Sequence, residues 1–145
     1  MTKTIPSLEA MLAFGELIGA RLRGGVVIEL IGDIGAGKTT LTKGIAKGLG
    51  VDEDVQSPSF TISRLYEARD GLRLAHYDFY RLHDPGILAA ELSEAMSDPQ
   101  TIVVVEWADV VEQVLPDDRV TIRISSPTET SRQLDITPDA ILGDI

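Results

Sequence analysis

The sequence has no cysteine and no asparagine. Zero cysteine excludes disulfides, thiolate metal sites and cysteine nucleophiles, and it fits a reducing compartment. Without asparagine the chain cannot form the Asn-Lys-x-Asp motif by which the common regulatory GTPases select guanine. Long apolar runs are missing too. The longest uncharged ones, Val26–Ile28 and Ile102–Val105, fall far short of the roughly 20 residues that span a bilayer. Met1–Pro6 has no apolar block of the secretory kind, so the expected location is cytoplasmic. Positive charge is also scarce: 13 Lys and Arg stand against 23 Asp and Glu, a net charge of -10. Nucleic-acid binding draws much of its free energy from basic residues that displace counterions. An extended direct tRNA or DNA footprint is therefore disfavoured, and the acidity reads either as solubility or as docking to a basic partner.

What is present describes one globular domain over residues 1–145, with 43% apolar and 25% charged residues in ordinary balance. There is no internal repeat, low-complexity tract or linker. Ser7 is a good N-cap residue, and Leu8, Met11, Leu12, Gly15, Ile18, Gly19 and Leu22 follow at helical spacing. Gly24-Gly25 ends that helix. Val26–Ile31 has the β-branched character of a strand covered on both faces. A glycine-rich turn leads from it into a helix marked by Leu41, Ile45 and Leu49, with Gly50 at the C′ position. Phe60–Ala68 and Leu72–Phe79 flank Arg69-Asp70-Gly71 as a hairpin. A helix is predicted over Ile87–Met96, a buried strand over Thr101–Val105, and a short helix over Asp109–Leu115. Two strands, Arg119–Ser125 and Arg132–Thr137, complete an α/β layer fold with an antiparallel portion.

Gly32-Asp33-Ile34-Gly35-Ala36-Gly37-Lys38-Thr39 satisfies G-x-x-x-x-G-K-[ST] at every defined position, and this composition gives it only ~0.004 chance occurrences. Glycines let backbone amides approach phosphates, and the positive end of the following helix adds to the attraction. Lys38 would neutralise the β- and γ-phosphates and Thr39 would present its hydroxyl to magnesium. The bland alternative is a glycine turn without ligand, in which a buried lysine would lack its counter-charge.

Thr101–Glu106 has the form of a Walker B strand, an apolar run ending in a carboxylate that approaches the magnesium and the attacking water. An edge glutamate is the competing explanation. By period-2 alternation Leu72, Leu74, His76, Asp78 and Tyr80 share one strand face, and Arg73, Ala75, Tyr77 and Phe79 the other. The polar trio is either part of a site, with Asp78 assisting the metal, or a solvent face on which His76 is an ordinary surface histidine.

The ordered set Gly32–Thr40, Ser57-Pro58-Ser59-Phe60-Thr61, His76-Tyr77-Asp78-Phe79-Tyr80-Arg81 and Val104-Val105-Glu106-Trp107 resembles the bacterial TsaE family, ATPases of tRNA threonylcarbamoyladenosine biosynthesis. The resemblance implies a P-loop NTPase-like three-layer sandwich with a mixed parallel and antiparallel central sheet. It implies ATP and Mg2+ as cofactors, with ATP-binding residues Leu8, Asp33, Gly35, Ala36, Gly37, Lys38, Thr39, Thr40 and Arg132. Thr39 and Glu106 would hold the metal, Glu106, Asp78 and Lys38 would serve catalysis, Trp107 would lie near the nucleotide, and Ser57–Thr61 would form a switch-like loop. It further implies weak turnover alone and a two-protein tRNA threonylcarbamoyl-transferase complex as partner, which ATP hydrolysis resets and through which alone the chain meets tRNA. Glu91-Leu92 is followed by Ser93 where the family usually has glycine.

Three other classes compete. A small P-loop kinase needs cationic groups around the transferring phosphoryl, yet residues 82–118 hold nine acids and no Lys or Arg, which excludes a mobile arginine lid there. A guanine switch lacks its motif. A module that holds ATP without hydrolysing it stays open, as does the identity of any catalytic arginine among Arg64, Arg81 and Arg132.

Overall fold

The computed structural model describes residues 1–33, 35–55, 63–80, 84 and 86–138. Its elements are β1 (Thr2–Ile5), α1 (Leu8–Arg21), β2 (Val27–Ile31), α2 (Lys38–Gly48), β3 (Ser63–Glu67), β4 (Arg73–Asp78), α3 (Ile87–Ser97), β5 (Thr101–Glu106), β6 (Val120–Ser125) and β7 (Arg132–Thr137), with 3-10 turns at Arg69–Gly71 and Ala108–Val114. One sheet runs in the order β1-β7-β6-β2-β5-β4-β3. Its centre, β6-β2-β5-β4, is parallel, and the flanking pairs β1-β7, β6-β7 and β3-β4 are antiparallel. The mixed α/β sheet expected from the sequence is therefore observed, and β2 lies at its centre.

Alternation sorts each strand between two cores. Ile28, Leu30, Leu74, Ile102, Val104 and Ile122 pack with α1 and α2. Val27, Ala75, Tyr77, Val103 and Val105 face the other way, against Leu92 of α3, Ala108 and Val111 of the second 3-10 turn and Leu115 just after it. This third layer covers β2, β5 and β4. Over β6, β7 and β1 the same face is polar, where Arg123 opposes Asp135 in register and Thr2 donates to Asp135 at 2.8 Å. Among the described residues the helix expected at Asp109–Leu115 is a 3-10 turn. The strand β1 was not predicted. It is four residues long, too short for a periodicity signal, and its partner β7 stands at the far end of the sequence.

Ser7 caps α1 as expected, its Oγ accepting from the Ala10 N–H at 3.0 Å. The crossing of α1 and α2 is unusually close because glycines face each other. A Cβ on Gly19 would stand 2.1 Å from the Ile45 carbonyl oxygen, and one on Gly44 would stand 2.3 Å from that of Leu12. The apolar face of α1 was legible, but the reason for its glycines was not. The pairings place both helices parallel, so their carboxyl ends meet. There Arg69 donates to the carbonyls of Gly19, Gly48, Ala20 and Leu22, capping the helix ends and opposing the negative ends of two dipoles.

An alanine replacing an exposed helix glycine usually gains about 1 kcal/mol. Gly19→Ala and Gly44→Ala are expected to do the opposite, losing about 1–3 kcal/mol through overpacking against backbone. Urea unfolding of each variant reads the sign, and a stabilised variant would mean that the helices can separate without loss.

Candidate functional site

The central strand β2 delivers the chain into the loop at Gly32. Gly35 (φ 80°) and Gly37 (φ 109°) adopt left-handed backbone, open to glycine at no steric cost. Gly37 is the N-cap of α2 and supplies no side-chain acceptor, so the first amides of α2 are left for an external anion. Lys38, the first helical residue, is 7% exposed. Its Nζ donates to the Gly32 carbonyl at 2.5 Å and lies 4.0 Å from the Trp107 ring centroid, within cation–π range. Ala36 is buried, Thr39 and Thr40 are half-buried beside Lys38, and Asp33 and Gly35 are exposed. Ile34 lies outside the described residues, as do Ser57–Thr61 and Arg81.

Register brings the two candidate acids to this loop. Leu30 of β2 pairs with Glu106 of β5, and Glu106 pairs with Asp78 of β4. Two carboxylates thus sit side by side at the carboxyl edge of the parallel strands, where open α/β sheets bind ligands. Both are buried. Burial pushes the Asp78 carboxyl above its usual range. The Tyr80 N–H, donating to Asp78 Oδ1 at 3.0 Å, opposes the rise and the neighbouring Glu106 adds to it. Burial lowers the Lys38 ammonium, and Glu106, Asp78 and Asp33 counter it. The sequence suggested that nothing beside the loop would neutralise this lysine; the strand ends do so in part.

The alternative of a solvent face for His76 and Asp78 is overturned. His76 is wholly inaccessible, and its Nε2 lies 2.5 Å from Glu106 Oε2. It is not a surface histidine. Tyr80, the third residue of that face, is exposed and lies against Trp107 with ring centroids 4.8 Å apart. Trp107 itself has left-handed backbone (φ 55°, ψ 51°), at a cost of about 1–2 kcal/mol for a non-glycine residue. That turn carries its ring beneath Lys38.

Arg132 is buried on β7 with its donors spent on carbonyls. Nε reaches Ala36 at 2.8 Å, Nη2 reaches Gly35 at 3.5 Å, and Nη1 bonds Ser131 and Glu129. It braces the loop from behind. Such a contact, spanning 96 residues of sequence, leaves no local signal. Leu8 opens α1 and is half exposed, and one turn later the Met11 Cε lies 3.3 Å from where a Gly37 Cβ would be. Arg64 lies on β3, in register with His76.

A cavity of about 370 Å3 adjoins the loop, lined by Gly32, Asp33, Lys38, Trp107, Glu29 and Arg119 among others. Glu29 is occupied by Arg119, whose Nε donates to it at 2.8 Å. Among the described residues no group of three or more His, Asp or Glu is arranged to hold a metal alone. Magnesium in nucleotide sites takes one or two carboxylates and completes its shell with phosphate and water. A buried carboxylate at the strand end and a threonine hydroxyl at the helix start fit that need.

The family model for "Threonylcarbamoyl adenosine biosynthesis protein TsaE" matches residues 5–134. The tRNA threonylcarbamoyladenosine biosynthesis protein TsaE of Bacillus subtilis is 40% identical over 131 residues, 89% of this chain and 80% of that protein. The Haemophilus influenzae protein of the same name is 30% identical over 148 residues, 99% of this chain and 92% of its own. The crystal structure of Bacillus subtilis YdiB superposes with a TM-score of 0.73 at 35% identity, over 92% of this chain and 82% of that one.

Asp78→Asn keeps an acceptor for the Tyr80 N–H and removes the ionisation. A folded-state pKa above the unfolded value contributes stability that is present at low pH and lost as pH rises through the raised value. The variant is therefore expected to melt above the parent near neutral pH, with the gap closing as pH falls into the carboxylate range. Thermal unfolding followed by circular dichroism across that range checks it, and a lower melting point for the variant at neutral pH would mean that the ionised carboxylate is favoured.

Proposed function

The chain belongs to the TsaE family, and on that footing we propose that it is a P-loop ATPase serving tRNA threonylcarbamoyladenosine biosynthesis. Family membership carries the role in that pathway. The ATPase reading rests on one arrangement: Lys38 buried at the head of α2, with Glu106 and Asp78 in register at the adjoining strand ends.

In this reading the uncapped amides of α2 and the Lys38 ammonium take the β- and γ-phosphates of ATP, and Lys38 exchanges the Gly32 carbonyl for them. Thr39 and Glu106 would hold Mg2+, which would supply positive charge to the phosphates when bound. Glu106 orients the attacking water and accepts its proton. Asp78, fixed through the Tyr80 amide, supports the same locus. Asp33, Gly35, Ala36, Gly37 and Thr40 line the phosphates. Leu8 flanks the base from the start of α1, and Arg132 acts through the loop it braces. ATP hydrolysis resets a two-protein complex that modifies adenosine 37, and the acidic chain leaves the RNA to those partners. Turnover takes place in the cytoplasm.

Turnover of ATP, with GTP as control, is measured for the chain alone and with the two transferase proteins of the pathway. Stimulated, magnesium-dependent, ATP-specific hydrolysis is the expected result; indifference to the partners together with phosphorylation of a metabolite would restore the kinase class. Lys38→Ala is expected to weaken nucleotide affinity by calorimetry, and unchanged affinity would remove the phosphate-loop assignment. Glu106→Ala is expected to keep ATP binding and lose about 100-fold or more in turnover, the usual scale of general-base catalysis. Full turnover in that variant would move the base elsewhere.

A further inference from the structure

Among the described residues one buried side-chain nitrogen or oxygen has no hydrogen-bond partner, the Nδ1 of His76. The imidazole stands inside β4, in register with Val104 of β5. On the same sheet face Leu74, Ile102 and Val104 belong to the apolar core. An aliphatic side chain in this place would pack against those neighbours without the unpartnered Nδ1, a half-satisfied buried group of the costly kind, but it would take from buried Glu106 the contact that the imidazole makes. The imidazole makes one polar contact, to Glu106 Oε2.

We propose that His76 is a positioning residue for Glu106, fixing one carboxylate oxygen so that the other faces the nucleotide. This rests on the reading of Glu106 as the group that acts on the attacking water. With Nδ1 unpartnered, the ring proton belongs on Nε2, which donates to Oε2. A glutamate at a strand end otherwise turns freely about its terminal torsion, and a catalytic carboxylate misplaced by a fraction of an ångström loses much of its effect. His76 is closed to solvent and to any ligand in the cavity, so it acts through Glu106. Asp78 has its own support, the Tyr80 N–H, and does not compete for the imidazole.

The test uses the full chain with His76→Leu and His76→Gln, reading Mg-ATP affinity by calorimetry, single-turnover hydrolysis and the melting point. His76→Leu is expected to slow hydrolysis about tenfold or more while affinity changes less than about threefold, because positioning acts on the chemical step. His76→Gln, whose amide N–H extends toward the same oxygen, is expected to recover most of the rate. In a Glu106→Gln background the effect of His76→Leu is expected to shrink below about twofold, since the two residues act as one unit.

Parental turnover in His76→Leu, alongside an inactive Glu106→Ala, would overturn the proposal. Equal loss in the Leu and Gln variants, or an undiminished effect in the Glu106→Gln background, would make His76 a core residue only. Parental turnover in Glu106→Ala would instead remove the reading of Glu106 itself, and this proposal with it, through a separate measurement.

Discussion

Lys38, a lysine buried at the head of α2 just past the central strand, is the constraint around which the molecule is arranged. Burying a charge without partners is prohibitive, so Lys38 obliges the fold to bring compensation from several directions. The Gly32 carbonyl and the Trp107 ring touch it. Glu106 and Asp78 offset it from the next two strands. The carboxylates are in turn costly to bury, as the raised Asp78 shows, and that cost falls when a cation stands beside them. Loop, strand register and the left-handed turn at Trp107 are thus mutually dependent.

Precision at the loop is imposed from outside it. Facing glycines let α1 and α2 touch through their backbones, which fixes the axis of the helix whose first residue is Lys38. Arg69 ties the carboxyl ends of those helices together, and Arg132 braces the loop at the other end. Two guanidiniums, each spread over several carbonyls, hold the loop and α2 from their two ends. Their planar forks suit that task better than a lysine would.

Much of this was legible because it is local. A strand, a glycine loop and a helix occupy consecutive residues, and the motif, the N-cap at Ser7 and the Leu41-Ile45-Leu49 repeat each declare themselves within one or two turns. Alternation also sorted the two faces of β4 correctly, with Leu74 in one core and Ala75 and Tyr77 in the other. What alternation could not say is whether a polar face meets solvent. Asp78 stood as a candidate from the sequence, but that its face is buried, with His76 against Glu106, showed only when β5 was laid beside β4, a pairing that depends on the whole sheet. The strand β1, the Arg132 brace and the α1–α2 glycine contact failed for the same reason, since each joins residues far apart in sequence.

The same geometry bears on the proposed reading, in which an ATPase depends on partners. Phosphoryl transfer is accelerated chiefly by positive charge around the transferring group. Here Arg132 is committed to loop carbonyls, Arg119 is committed to Glu29, and Arg123 stands exposed on the cavity wall. Of the two described cations buried at the loop, Lys38 and Arg132, that leaves Lys38, whose charge is already offset by Glu106 and Asp78. A third layer built from a stretch without Lys or Arg offers no replacement. In the proposed reading the missing charge comes from the metal and from a docked protein, so hydrolysis is coupled to assembly by electrostatics rather than by a moving lid of the chain's own.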